Sequence, residues 1–440
     1  MLSFMPKSSP RLIDYHKAGL KTLVVLFPNE RDKLELMNAR YQLRYDVHFE
    51  GFDLHHFPDN ARLVTFNIHR FIDKITKRCE KLRADAVLST DEQFGALIAA
   101  IVAKRLGLPG TDPQAILTAQ HKWLARKIQQ RVVPEATPAF SHFSYEILNP
   151  LDTGLPFPFF VKPIKATWSV LARRVDNFSE LQQHLNFHPL EKFIVKRLVK
   201  PFNEILKLNG LHEVNAHHLI AEELIEGHLV TLEGYAKNGP IHHLGMTDSV
   251  MFPRSYAFRR FEYPSRLPAS VQKRMEDIAA KTMQAIGFDF GLFNMEMYYC
   301  EQSDKIKIVE INPRLARQFG DLHEKVDGRN TLDMLIALSL NQPLPDKTEP
   351  KYRCAASFVF RDFSGKGLHA GPTAMQLNWL YRTYPDARLL VYPKQGASLA
   401  REVKWLGSYR YAVLNLGGAD WEDLTNRHDD VVRHLTFDWR

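Results

Sequence analysis

The chain has 440 residues, more than one hydrophobic core ordinarily serves, so two or three domains are expected. Hydrophobic residues make up 45% and charged residues 25%, which excludes a disordered or fibrous chain. Lys and Arg number 58 against 50 Asp and Glu, a surplus that suits anionic small ligands, but it is spread along the chain and gives no nucleic-acid stripe.

In chain order, residues 1–20 read as a loosely ordered lead-in, and Met1–Pro10 lacks a signal-peptide core. Leu23–Phe27 is a short apolar run ended by Pro28, the pattern of a buried parallel strand. A helical stretch follows at Glu30–Tyr41, then a second strand at Asp46–Phe49. Phe71–Leu82 has apolar residues at helical spacing. Ala86–Leu88 is a third strand, and Gln93–Leu106 an amphipathic helix closed by Gly107. This alternation predicts a small parallel α/β unit. No GxGxxG follows the first strand, so nothing supports a dinucleotide site there.

Residues 113–130 read as one helix, and two prolines break the pattern at Arg131–Pro138. Phe157–Pro163, Ile194-Val195 and Leu219–Leu224 are strand candidates. Leu229–Tyr235 alternates as a strand does and ends in the turn Lys237–Pro240. Val271–Ile286 is a long helix stopped by Gly287. Phe293–Tyr299 and Ile306–Ile311 flank a polar turn and read as a hairpin. Leu332–Leu340 is helical, and Pro343, Pro345 and Pro350 mark a linker. The last ninety residues carry mixed signals and are expected to form a third, smaller region. Cys79, Cys300 and Cys354 make no CxxC pair, and no apolar stretch reaches membrane length. The expectation is therefore a cytoplasmic protein with no membrane partner.

The chemistry concentrates on the predicted hairpin. Glu296 lies on its first strand, and Glu310, Asn312 and Arg314 lie on and just past its second, in Glu310-Ile311-Asn312-Pro313-Arg314. Residues i and i+2 of a strand share a face, so Glu310 and Asn312 point the same way. Pairing the strands can bring Glu296 beside Glu310. Two carboxylates and an amide are costly to bury together unless a hard cation neutralises them. Arg314 follows closely enough to fork onto the same phosphate.

This ordered set resembles the metal-binding end of the ATP-grasp superfamily, with carboxylate–amine ligases of the amino-acid or dipeptide type as the nearest model. The resemblance implies an α/β ATP-grasp fold. It would comprise an N-terminal Rossmann-like domain at 1–112, the ATP-grasp domain at 113–345 and a small α+β region at 346–440. It implies Glu296, Glu310 and Asn312 as ligands of Mg²⁺ or Mn²⁺, with Arg314 as the catalytic cation. It implies ATP contacts from Lys122, Lys162, Ser169, Glu222, Glu223 and Ile225. Glu222 would accept from the adenine amino group or hold Lys162, and the backbone around Glu223 and Ile225 would meet the adenine edge. The loop after Lys162, Ile164-Lys165-Ala166-Thr167-Trp168-Ser169-Val170, departs from the family by having no glycine. Leu229 stands where a ribose-binding acid is common, with Glu226 and Glu233 as alternatives.

The implied activity is an ADP-forming ligase. It would activate a carboxylate as an acyl phosphate and pass the acyl group to an amine. Its partners would be the small-molecule carboxylate and amine, and a homodimer is left open. Two other readings compete: a biotin-carboxylase-like enzyme using bicarbonate, and a silent nucleotide-binding regulator. An Arg-aromatic loop at 251–266 and the trio Arg317, Gln318 and His323 are candidate acyl-pocket residues. A zinc site at His217, His218, His242 and His243 is not expected, because neighbours on a strand face opposite ways.

Overall fold

The computed structural model describes residues 19–54, 62–63, 65–166, 171–211 and 215–439. Its strands are β1 (Lys21–Leu26), β2 (Tyr45–Glu50), β3 (Ala86–Leu88), β4 (Phe140–Phe143), β5 (Phe159–Pro163) and β6 (Arg173–Val175). Next come β7 (Leu219–Glu222), β8 (His228–Ala236), β9 (Ile241–Met251), β10 (Phe258–Tyr263), β11 (Gly291–Cys300) and β12 (Lys305–Asn312). The last are β13 (Cys354–Asp362), β14 (Leu368–Ala370), β15 (Arg388–Val391), β16 (Tyr409–Gly418) and β17 (Asp438–Trp439).

The N-terminal apolar runs form a parallel sheet in the order β2-β1-β3. Leu23, Val24, Val25 and Leu26 are all fully buried, as a strand covered on both faces must be. The segment predicted as one helix at Glu30–Tyr41 is two, Glu30–Leu36 and Ala39–Gln42, because Asn38 caps a second start. The predicted helix at 113–130 is also two, Pro113–Gln120 and Lys122–Val132. His121 between them has extended backbone, and its ring accepts from Leu124 N–H, so it caps the second helix. Lys122 thereby sits at a helix start, turned out of the first helix's register.

Ile194-Val195, expected as a strand, lies within the helix Pro189–Leu208. The helix buries Val199, Phe202, Ile205 and Leu206, and that period outweighs the strand preference of one β-branched pair. A four-stranded sheet, β4-β7-β5-β6, lies between the parallel sheet and the rest in sequence.

The largest sheet has eight strands in the order β12-β11-β8-β9-β10-β13-β16-β15. After the proline-rich linker β13, β16 and β15 are hydrogen-bonded into it through the β10–β13 pairing, while β14 and β17 pair separately. Its two faces differ. Met295, Met297, Ile308 and Ile311 point into the main core, which also holds Met275, Ala279 and Met283 of the helix Ala269–Ile286. The opposite face of the same strands carries the polar residues. One glycine is required by close packing: Gly227, at φ +129°, would put a Cβ 2.2 Å from the Tyr299 carbonyl oxygen.

Candidate active site

β11 and β12 pair antiparallel, with Glu296 opposite Glu310 and Asn294 opposite Asn312. Registration onto β8 puts Thr231 beside Glu296 and Glu233 beside Asn294. Two polar rows therefore cross the non-core face. The Asn312 amide nitrogen donates to Asn294 Oδ1 at 2.9 Å and reaches towards Glu296 Oε1 at 3.5 Å. Turning that amide over would let it donate to Glu92 Oε1 at 2.8 Å, so it stands between two acids.

The two carboxylates titrate in opposite directions. Burial and the neighbouring Glu310 push Glu296 up to about 7. Burial works on Glu310 as well, but Lys122 and Lys162 outweigh it and hold its carboxyl below the usual range. Lys122 Nζ lies 2.7 Å from Glu310 Oε1.

A second cluster adjoins this one. Glu222, at the end of β7, is 2% exposed. One of its oxygens takes Lys162 Nζ at 2.8 Å, and the other takes Arg126 Nε at 2.8 Å. Both cations also donate to the Val309 carbonyl, Lys162 at 2.9 Å and Arg126 at 2.8 Å. Burial holds the Lys162 ammonium below its ordinary value despite Glu222. Beyond Glu222 the Glu223 N–H donates to Ala139 O, while the Ile225 N–H has no hydrogen-bond partner among the described residues. Lys307 reaches Glu223 Oε1 at 3.2 Å.

Arg314 is fixed by Glu92, which accepts from its Nη2 at 2.6 Å and its Nε at 3.1 Å. Burial would lower the Arg314 value, and Glu92 raises it instead. Glu92 follows the carboxyl end of β3, where open α/β sheets place their ligands. Arg317 pairs at 2.8 Å with Asp32 of the helix Glu30–Leu36, a second clamp from the N-terminal segment.

The structure thus gathers Lys122, Lys162, Glu222, Glu296, Glu310, Asn312 and Arg314 into one connected cluster, with Glu223 and Ile225 just past its β7 edge. Ser169 lies outside the described residues. Two participants escaped the sequence reading, Arg126 and Glu92. Arg126 is one helical turn from Lys122, and that spacing was the available signal. For Glu92 only the position after a parallel strand hinted at it. Other expectations are corrected. The loop at 251–266 contains β10, where Glu262 ties up Arg260 at 2.6 Å and Arg266 at 2.5 Å. Glu233 is not available to a ribose, because it contacts the fully buried His323. Gln318 donates to Ser357 Oγ at 3.0 Å.

Residues 155–321 match the family model of the ATP-grasp domain. The chain carries an ATP-grasp domain. It is 27% identical over 314 residues to carnosine synthase 1 of Gallus gallus, spanning 68% of this chain and 32% of that one. It is 25% identical over 259 residues to the uncharacterized protein y4rH of Sinorhizobium fredii, spanning 58% of this chain and 48% of that one. The chain therefore spans half or less of the curated relatives it matches. The ATP-grasp fold also superposes on the L-amino acid ligase of Bacillus licheniformis with a TM-score of 0.70 at 15% identity, covering 96% of this chain and 99% of that one.

Among the described residues no group of three or more His, Cys, Asp or Glu side chains is arranged to hold a metal. The donor set is instead two carboxylates and an amide. That set fits Mg²⁺, which takes few protein ligands and fills its octahedron with water and phosphate oxygens.

Proposed function

We propose that this chain is an ADP-forming ligase that activates a small-molecule carboxylate as an acyl phosphate and couples it to an amine. The observation that carries the proposal is the cross-strand pair Glu296–Glu310 set among Lys122, Lys162 and Arg314. ATP would lie along this row with its adenine at the β7 edge, where the Ile225 N–H has no partner among the described residues. Lys162, oriented by Glu222, would meet the inner phosphates, and Lys122 the outer ones. Glu296, Glu310 and Asn312 would hold Mg²⁺ or Mn²⁺, which when bound neutralises phosphate charge and orients the triphosphate.

The substrate carboxylate attacks the γ-phosphorus, and the bond from that phosphorus to the bridging oxygen of ADP breaks. Arg314 stabilises the charge on the transferred group. The amine then attacks the acyl carbon, loses a proton and expels inorganic phosphate. No side-chain nucleophile is required, and the protein's work is positioning and charge stabilisation. The likeness to carnosine synthase 1 favours an amine as acceptor.

The test is phosphate release across paired acids and amines, with products read by mass. An amide or peptide product that requires both partners is expected. Phosphate release with bicarbonate and no amine would replace this reading by a carboxylating one. Tight ATP binding with no ADP formed by any pair would reduce the chain to a nucleotide binder.

A further inference from the structure

The loop after β5 has no glycine, yet its first residues are held firmly. Ile164 O accepts from Lys122 N–H at 3.3 Å, and Ile164 N–H donates to His218 O at 2.9 Å. Ala166 O accepts from Lys122 Nζ at 3.2 Å. Lys165 stands in the middle of this pinned segment and is only 3% exposed. Its chain crosses the Phe202 ring, with Nζ 5.1 Å from the centroid. Nζ donates to the Glu92 carbonyl at 3.1 Å. Among the described residues it has no carboxylate within ion-pair distance and no second hydrogen-bond acceptor.

A buried ammonium without an anion is costly, so this is a place prepared for one. The direction follows from the neighbours. Lys162 lies at the Glu222 end of the row, whereas Lys165 touches Glu92, whose carboxylate holds Arg314. We propose that Lys165 is a phosphate-contacting residue of this chain, directed at the end of the triphosphate nearest Arg314. Its side chain replaces contacts that a glycine-rich loop makes with backbone N–H groups. This rests on the nucleotide site proposed above.

The charged groups facing Lys165 are Glu92, Lys122, Asp91 and Glu310. Burial, only partly offset by Glu92, holds its ammonium down to about 8. A phosphate arriving beside it restores the proton.

Calorimetry with Mg²⁺ and the β,γ-imido analogue of ATP, ADP or AMP tests this on wild type, Lys165→Met and Lys165→Arg. Lys165→Met is expected to weaken the triphosphate analogue about 10- to 100-fold, the range of a charge-assisted hydrogen bond. It should leave AMP within about twofold, and Lys165→Arg should retain most of the triphosphate affinity. Equal losses for all three nucleotides, or no loss, would overturn the proposal while leaving the nucleotide site intact. Failure of wild type to bind any of them would instead remove the site itself. If Lys165→Met does not fold, proton uptake decides between the outcomes. At pH 8, in two buffers of different ionisation heat, wild type should take up as much as about half a proton more than Lys165→Arg on binding the analogue. Equal uptake would overturn the assignment.

Discussion

Replacing His323 by Gln tests the electrostatics of the polar sheet face in a way that can be read against pH. His323 is fully buried, its Nε2 contacting Glu233 and its Nδ1 3.3 Å from Asp327 Oδ2. Tyr263 closes the network by donating its hydroxyl to Asp327. Burial alone would push the imidazole value down, but Glu233 and Asp327 push it up to about 9. A histidine raised above its ordinary 6.5 stabilises the fold fully below pH 6.5, and that contribution is lost as pH rises through about 9. The span from 6.5 to about 9, at about 1.4 kcal/mol per tenfold, gives about 3 kcal/mol. For a domain of this size that is roughly 6–12 °C in melting temperature. Wild type and His323→Gln should therefore differ most near pH 6.5, and the gap should narrow by about that amount by pH 9.5. The assay is scanning calorimetry at half-unit pH steps without nucleotide. A gap that stays constant across the range would mean His323 is not charged in the native protein, and the network would have to be redrawn with a neutral ring.

Glu222→Gln leaves Lys162 and Arg126 buried around a neutral partner, so a loss of about 3–5 kcal/mol is expected, visible as a lowered melting temperature. An unchanged melt would mean that the Val309 carbonyl and Gln129 suffice to hold both cations. Glu310→Gln should abolish Mg-dependent ATP turnover with the circular dichroism spectrum intact, and full activity would remove the hairpin from the mechanism. Lys162→Ala should weaken ATP binding by more than about tenfold, as loss of one charge-assisted contact implies; unchanged affinity would place the phosphates elsewhere.

The site's core was legible because strand geometry is simple. A period of two fixes which residues share a face, so Glu310 and Asn312 could be paired from spacing alone, and one cross-strand register brought Glu296 to them. The placement of Glu222 was legible for a similar reason, since it ends a short buried strand. What stayed hidden was contact between distant segments. Glu92 meets Arg314 across 222 positions and Arg126 meets Glu222 across 96, and no local pattern encodes either. The split at His121 was missed because its capping ring looks, in sequence, like another residue of a continuing helix. Arg260 and Arg266 were misjudged for the opposite reason. Their density suggested a ligand, but both already pair with the carboxylate of Glu262 in the same stretch.

The N-terminal sheet supplies more than a scaffold for these contacts. Glu92 orients Arg314 with its side chain, while its carbonyl receives Lys165 and Asp32 holds Arg317. Arg40, from the same N-terminal segment, pairs with Asp333 in the helix Thr331–Ser339. Besides the Leu315 carbonyl at 3.3 Å, the Arg314 guanidinium is therefore held by an acid 222 positions away in sequence. A shift of the β3 end by even one residue would put the shorter Asp91 or the neutral Gln93 where Glu92 stands, and with Gln93 there the arginine would be buried without its acid, at a cost of several kcal/mol. The position of the proposed phosphoryl-stabilising cation is thus set by the register of a different sheet from the one that carries Glu296 and Glu310. Loss of the first sheet's packing would disable Arg314 before it disturbed the paired carboxylates.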